Sequence, residues 1–210
     1  MQIAILGGTG HLGRRLAEGF LRAGHDVVLG SRDPAATRQK IADWAQPCEV
    51  RHHAQAVAEA RTVVVAVPFE GVDATIAAVR EHLHPQGVLV SAVVPLAAGH
   101  PTQIALPSEG SAAEHIAALV DGKVAVAAAF HTLSAARETE GEAEDVLYCG
   151  NTSQARQQAA ALAGALGLRG VDCGPLRMAR TLEQMTPLLI GLNQRYHVRA
   201  TGIRITGLPR

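Results

Sequence analysis

The segment Leu6-Gly7-Gly8-Thr9-Gly10-His11-Leu12-Gly13 follows an apolar run at the amino terminus and precedes a stretch in which apolar residues recur with helical spacing. Gly8, Gly10 and Gly13 form the pattern G-x-G-x-x-G, which in this context indicates a turn that binds a dinucleotide. Gly8 permits the tight turn, Gly10 lets the backbone approach a pyrophosphate, and Gly13 lets the helix pack closely. The N-terminus of the helix supplies N–H groups for the anion. The alternative is a plain glycine-rich turn, and the context favours the dinucleotide site.

Segments with strand character and segments with helical spacing alternate along the rest of the chain. Apolar runs predict strands at residues 3–6, 26–29, 62–67, 88–91, 123–129, 146–149 and 170–173. Helices are predicted at residues 12–23, 34–44, 72–82, 153–166 and 178–198. The alternation predicts an α/β fold, a Rossmann-type doubly wound, mainly parallel sheet with a smaller C-terminal α/β module. We expect a nucleotide-binding domain at residues 1–135 and a smaller domain at residues 136–210, with the acceptor site and dimer contacts.

The end of the second predicted strand indicates which dinucleotide binds. NAD sites commonly place Asp or Glu there, where the carboxylate accepts hydrogen bonds from the ribose 2′-hydroxyl. This strand instead ends in Gly30-Ser31-Arg32, and a hydroxyl beside a guanidinium suits the 2′-phosphate of NADP. Thr9 is a candidate for a further donor, whereas Asp33 is near enough in sequence to reach the ribose. We expect NADP as the cofactor; the alternative is that Arg32 is an ordinary surface charge.

The composition excludes several classes of function. Of the 210 residues, 48% are hydrophobic and 18% charged, which suits a sizeable core and argues against disorder. Lys and Arg number 19 and Asp and Glu number 19, so the basic excess of nucleic-acid-binding proteins is missing. No apolar run reaches the roughly 18 residues of a membrane helix, and we see no signal-peptide pattern. With three widely spaced cysteines, we expect a cytoplasmic protein without disulfides or a metal site.

Residues that donate protons in many nicotinamide enzymes are scarce. Lys40 and Lys123 are the only lysines, and neither tyrosine begins the Tyr-x-x-x-Lys pattern of short-chain dehydrogenases. His131 follows a predicted buried strand, at the sheet edge where ligands bind in such folds; it is either an active-site residue or a core histidine. Other histidines, His52 and His53 among them, fit an exposed surface. A reaction that moves only hydride between two organic cofactors needs no such acid or base.

Several segments together resemble the family of coenzyme F420-dependent NADP reductases. They are residues 5–13, 30–32, 91–96, 108–114, 131–137 and 173–176. The glycine turn alone recurs in many families, whereas these segments in this order are considerably more specific. The resemblance implies hydride transfer between NADP(H) and the deazaflavin coenzyme F420, in a homodimer.

The same resemblance implies roles for individual residues. The cofactor-binding residues that it implies are Gly8, Thr9, Gly10, His11, Leu12, Gly13, Ser31, Arg32, Arg38, Val67, Phe69, Pro95, Leu96 and Ala135. The glycine turn would hold the pyrophosphate, while Ser31 and Arg32 would bind the 2′-phosphate. Arg38 would replace a basic residue that the family often has soon after its Ser-Arg pair. Leu96 and Ala135 would lie near the nicotinamide, with His131 close by as an orienting residue.

Two further functions stay open on the residues alone. An NADPH-dependent reductase of a flavin, a quinone or a ferric chelate would use the same open site, which is poor in acids and bases. A non-catalytic module that senses NADP(H) and binds a protein partner is the third reading, because nothing in the sequence requires turnover. For the F420-dependent reductase and for the reductase of another acceptor, the partner is a small redox co-substrate. Neither nucleic acid nor a membrane is expected as a partner.

Overall fold

A computed structural model describes residues 1–134 and 144–208. Its strands are β1 (Gln2–Leu6), β2 (Asp26–Ser31), β3 (Glu49–His52), β4 (Thr62–Val65), β5 (Val88–Ser91), β6 (Leu96–Ala97), β7 (His100–Ile104), β8 (Ala125–Ala129), β9 (Asp145–Gly150) and β10 (Arg169–Pro175). Its helices are α1 (His11–Arg22), α2 (Pro34–Lys40), α3 (His53–Ala58), α4 (Val72–Val79), α5 (Ala112–Val120), α6 (Ser153–Ala165) and α7 (Ala179–Tyr196).

Within the described part of the chain, eight strands form one sheet in the order β10-β9-β8-β5-β4-β1-β2-β3. Neighbouring strands are parallel, except that β8 and β9 pair antiparallel. The strand β1 pairs with β2 on one side and with β4 on the other. This reversal of strand order is the switch point at which open α/β sheets bind ligands. The predicted α/β class and mainly parallel Rossmann-type sheet are confirmed.

Two apolar cores cover the two faces of the sheet. On one face, α3, α4, α5 and α7 contribute buried side chains, and on the other α1 and α6 do so. The central strands β4 and β5 are buried at every residue. Burial on both faces is the reason that these strands read as continuous apolar runs in the sequence.

The predicted C-terminal module adds its strands to the same sheet. Beyond β8, the sheet continues with β9 and β10, and α6 packs on both. The boundary predicted after residue 135 falls outside the described residues, so the division into two domains stays a prediction. Among the described residues, no helix combines the length and apolar character that crossing a membrane would need.

Some elements differ from the predicted ones. The helix α2 ends at Lys40, whereas spacing predicted residues 34–44, because the chain turns there towards β3. The strand β3 has a single buried residue, Val50, so it lacks the apolar pattern that identifies a strand. The helices α3 and α5 and the antiparallel hairpin β6–β7, which packs against α7, were not predicted.

Candidate active site

The turn between β1 and α1 is built from glycines because backbone atoms crowd it. Gly7 has a φ of +91°, and a side chain there would meet the carbonyl oxygen of Ala66 at 2.6 Å. A methyl group on Gly13 would overlap the carbonyl oxygen of Gly7. At Gly10 the nearest atom, the Gly7 oxygen, would lie 3.4 Å away, which is ordinary contact. Gly13 is therefore required for packing, whereas a side chain at Gly10 would make only ordinary contact with the turn.

The N-terminus of α1 suits an anion. Its N-cap residue, Gly10, makes no side-chain hydrogen bond, and its first turn contains no acidic residue. The first amides of a helix have no partner within the helix, and the helix dipole adds partial positive charge. His11, Leu12 and Gly13 form this first turn, and Gly8, Thr9 and Gly10 face the adjoining cleft. The six predicted cofactor-binding residues of the glycine turn thus lie together.

A cleft of about 640 Å³ lies at the carboxyl ends of β1, β2 and β4. Besides the glycine turn, it is lined by the end of β2, by α2, by the first residue of α3 and by residues that follow β4. They include Ser31, Arg32, Asp33, Thr37, Lys40, His53, Val67 and Pro68. The cleft therefore coincides with the switch point of the sheet, where a dinucleotide is expected.

The groups at the end of β2 differ in whether they already have partners. The Ser31 hydroxyl lies 2.8 Å from the Thr37 hydroxyl and accepts a hydrogen bond from the Asp33 amide at 3.0 Å. The Asp33 carboxylate accepts a hydrogen bond from the Ala36 amide at 3.0 Å and so caps α2. The exposed Arg32 guanidinium makes no hydrogen bond or ion pair with any residue that the structure describes. A ligand in the cleft thus meets a free cation, while the carboxylate is engaged by a helix.

Two basic residues of α2 occupy different places. The Arg38 guanidinium donates to the Val50 carbonyl at 2.9 Å and does not line the cleft. Lys40 does line it, although sequence analysis did not single it out as a binding residue. The signal that could have found Lys40 is helical spacing, because Thr37 and Lys40 lie three residues apart on one face of α2.

His53, which the sequence placed on an exposed surface, lines the cleft. The β2–β3 pairing sets Ser31 opposite His52, so the start of α3 adjoins the end of β2. The Nδ1 atom of His53 is buried against Gly30 without a hydrogen-bond partner. Burial lowers the pKa of His53, and the positive charge of Arg32 and the neighbouring His52 lower it further.

A second, smaller pocket of about 210 Å³ adjoins the cleft. Phe69 and Leu96 line this pocket, and Pro68 lines both. Val67 faces the larger cleft, so the two residues predicted to line one cleft, Val67 and Phe69, are divided between them. Pro95 closes the base of the β6–β7 hairpin, where its carbonyl accepts from the Ala105 amide at 2.7 Å.

His131 lies directly beyond β8 and is 5% exposed. The preceding residue, Phe130, has a φ of +73°, a conformation that is rare for a bulky residue and turns the chain at the strand end. Neither ring nitrogen of His131 has a hydrogen-bond partner among the described residues. Burial lowers the pKa of His131 to about 4, and the Val93 backbone offsets only part of this effect. The remaining predicted residue, Ala135, lies outside the described residues.

Comparisons with known proteins identify similar chains. Residues 2–95 match the family model described as "NADP oxidoreductase coenzyme F420-dependent". The F420-dependent NADP reductase of Methanothermobacter marburgensis is 37% identical over 224 aligned residues, with 100% of both chains covered. That of Methanocaldococcus jannaschii is 35% identical, with 99% of both covered. The crystal structure of a putative F420-dependent NADP reductase from Arthrobacter sp. FB24 has a TM-score of 0.86 at 28% identity, covering 98% of this chain and 99% of that one.

Proposed function

The chain belongs to the family of F420-dependent NADP reductases, and from this membership we infer that it transfers hydride between NADP(H) and coenzyme F420. The observation that carries this function is similarity to curated reductases over the full length of the chain. The cleft at the switch point fits the nucleotide, because it combines an uncapped helix N-terminus with a free guanidinium. When bound, NADP(H) supplies or accepts the hydride at its nicotinamide ring.

The glycine turn is the proposed site of the pyrophosphate. Gly8, Thr9 and Gly10 line the cleft, and the amides of His11 and Leu12 are in the first turn of α1. Backbone N–H groups at a helix N-terminus bind phosphate oxygens without a basic side chain. The packing of the protein does not itself require glycine at position 10, which supports this assignment, because a pyrophosphate must approach the backbone closely there.

The proposed 2′-phosphate site consists of Ser31, Arg32 and Lys40. Arg32 supports it as a cation without a protein partner, and Lys40 as a second cation that lines the same cleft. Arg38, the basic residue that the resemblance implied, is engaged by the Val50 carbonyl. The Asp33 carboxylate caps α2 and is thereby directed to a backbone amide. The unpaired Arg32 guanidinium favours NADP over NAD, and so does the engagement of one Asp33 carboxylate oxygen by the N-terminus of α2.

The pocket beside Phe69 and Leu96 is the proposed position of the nicotinamide end, with Pro95 supporting the hairpin. Pro68 joins this pocket to the nucleotide cleft, which supports one continuous binding site. His131 is proposed to orient the reacting groups. Because burial lowers its pKa to about 4, the imidazole is neutral near pH 7 and is a poor proton donor. Direct hydride transfer between two organic cofactors needs no such donor.

We also propose that the enzyme is a cytoplasmic homodimer and that residues 136–210 contribute dimer contacts. Two large apolar side chains are more than half exposed, Leu106 beyond the end of β7 at 52% and Leu188 of α7 at 58%. Exposed apolar groups of this kind favour association. Light scattering coupled to size exclusion tests the dimer. A monomer at micromolar concentration would contradict it.

Mixing the purified protein with NADPH and oxidised F420 tests the proposed function. We expect the absorbance of the deazaflavin and of NADPH to fall together, one F420 reduced for each NADPH oxidised. Free flavin, a quinone and a ferric chelate are the comparison acceptors. Turnover with one of them but not with F420 would replace this function by a reductase of that acceptor. Tight NADP binding without turnover on any acceptor would indicate a sensing module.

A further inference from the structure

His53 is positioned at the phosphate end of the nucleotide cleft. Because β3 pairs with β2 in parallel, the first residue of α3 emerges beside the last residues of β2. The ring of His53 packs on Gly30, where a side chain would meet Nδ1 at 3.0 Å. Its Nδ1 atom is buried without a partner, whereas Nε2 is neither buried nor hydrogen-bonded to any described residue. His53 lines the same cleft as Ser31 and Arg32, and Nε2 is its accessible ring nitrogen.

Charges around His53 come from every element that packs near it. His52 and Glu59 flank α3. The segment from β2 to α2 contributes Arg32, Asp33 and Lys40, the strand β3 contributes Glu49 and Arg51, and α4 contributes Asp73. Arg51 is paired with Glu49 and Glu59, and Asp73 with His115. Asp33 caps α2. The Asp33 carboxylate keeps its charge when it accepts from an amide, so Arg32 and Lys40 give the lining of the cleft a net positive charge, which is complementary to an anion.

We propose that His53 is a specificity-determining residue of the 2′-phosphate subsite and takes up a proton from solvent when the phosphate binds. This inference rests on the proposed function only in taking NADP(H) as the ligand. The imidazole then becomes a third cation beside Arg32 and Lys40, and preference for NADP(H) over NAD(H) increases as the pH falls.

The direction of the effect follows from electrostatics. In the free protein, burial and the charge of Arg32 disfavour the protonated imidazole. A phosphate monoester is close to a dianion near pH 7, so its arrival beside Arg32 and Lys40 offsets the positive potential that disfavours the protonated imidazole. The pKa of His53 therefore rises on binding. Each unit of that rise makes binding about tenfold tighter at a pH below both values than at a pH above both.

Isothermal titration calorimetry in buffers of different ionisation enthalpy measures the protons taken up per NADP+ bound. The 2′-phosphate itself titrates near pH 6, so the quantity of interest is the difference between wild type and His53→Asn. Asn keeps a polar atom near the position of Nδ1 but cannot take up a proton. We expect wild type to take up more protons than the variant with NADP+, and both to behave alike with NAD+. As the pH falls from about 8 to about 5.5, the affinity for NADP+ is expected to increase more in wild type than in His53→Asn. The additional increase is about tenfold for each unit by which NADP+ binding raises the pKa of His53.

A second variant and a matched control separate the possible outcomes. His53→Gln places an amide near the position of Nε2, so it is expected to lose the proton uptake while retaining part of the affinity. His52→Asn, at the exposed neighbour, is expected to keep the uptake of the wild type. Equal uptake in wild type and both His53 variants would overturn the inference. So would a loss of uptake in His52→Asn, or an equal loss of NAD+ and NADP+ affinity at every pH in the His53 variants.

The outcome is independent of the acceptor, because the titration contains no F420. A protein that binds NADP+ with this proton uptake but does not reduce F420 would refute the proposed function and leave the role of His53 intact. Normal F420 turnover with pH-independent selectivity for NADP+ would refute the role of His53 alone. Thermal unfolding followed by circular dichroism verifies that each variant is folded.

Discussion

At the scale of single residues, the candidate site is defined by which polar groups lack a protein partner. Arg32 and Arg38 are six positions apart in sequence, and both are basic and exposed. Arg38 donates to the Val50 carbonyl and so contributes to packing between α2 and β3. Arg32 has no such partner among the described residues, so its five donors are available to a ligand. A free guanidinium gains a charge-assisted bond on binding without breaking one inside the protein.

Replacing Arg32 by Ala tests this difference, with Arg38→Ala as the matched control. Loss of a charge-assisted bond contributes about 1.5–3 kcal/mol, so Arg32→Ala should raise the KM for NADPH roughly ten- to a hundredfold. The KM for NADH should change much less, since that cofactor has no 2′-phosphate. Arg38→Ala should leave the preference unchanged and lower stability by about 1 kcal/mol. Steady-state kinetics with both cofactors checks the result; equal effects on NADH and NADPH would remove Arg32 from the phosphate site.

At the scale of elements, the β1–α1 unit depends on close approach of helix and turn. Only a hydrogen atom fits between Gly13 and the carbonyl oxygen of Gly7, so the first turn of α1 lies directly on the turn that precedes it. This contact fixes where the helix N-terminus points, and hence where its amides can bind an anion. Gly164, near the end of α6, is a contrasting glycine with open space around it.

The two glycines should respond in opposite directions to the same substitution. Gly13→Ala introduces a methyl group into a backbone carbonyl and should lower the free energy of unfolding by about 1–3 kcal/mol, with weaker NADP binding. Gly164→Ala meets no atom and replaces glycine in a helix, so it should raise that free energy by up to about 1 kcal/mol. Urea denaturation measures both changes. A Gly13→Ala protein of unchanged stability would show that the turn can move away from α1.

At the scale of the whole molecule, a buried carboxylate ties the C-terminal helix to the rest of the fold. Glu183 of α7 is 0% exposed and accepts hydrogen bonds from the Ala112 amide at 2.8 Å and the Ala113 amide at 3.0 Å. It thus binds the N-terminus of α5 from a helix about seventy residues later in the chain. Burial raises the pKa of Glu183 to about 7, although the two amides oppose the shift.

This raised pKa predicts how stability depends on pH. Between the unfolded value of 4.5 and about 7, the folded protein binds a proton on Glu183 that the unfolded chain has released. The contribution of Glu183 is therefore fully present below the unfolded pKa and is lost as the pH rises through the folded pKa. The loss is at most about 3 kcal/mol. In Glu183→Gln, the free energy of unfolding should fall less between about pH 5 and about pH 8 than in wild type. Parallel denaturation curves for the two proteins across this range would contradict the prediction.

Several features could be predicted from the sequence because short-range physics controls them. The turn at Gly7–Gly13 needs glycines for a positive φ and for close backbone contact, and both demands act within a few residues. Strands buried on both faces, such as β4, read directly as apolar runs. The pair Ser31-Arg32 follows such a strand, so its place at the ligand-binding edge was predictable as well.

What only the tertiary structure decided is which groups meet across elements and which of them remain free. The edge strand β3 buries one residue and has no clear sequence signal, so the position of His53 beside Arg32 depends on its pairing with β2. The same pairing occupies Arg38 and leaves Lys40 in the cleft. Local sequence determines the turn and the strands because their contacts lie close along the chain. Partnership between polar groups depends on strand register and burial, which exist only once distant segments have packed together.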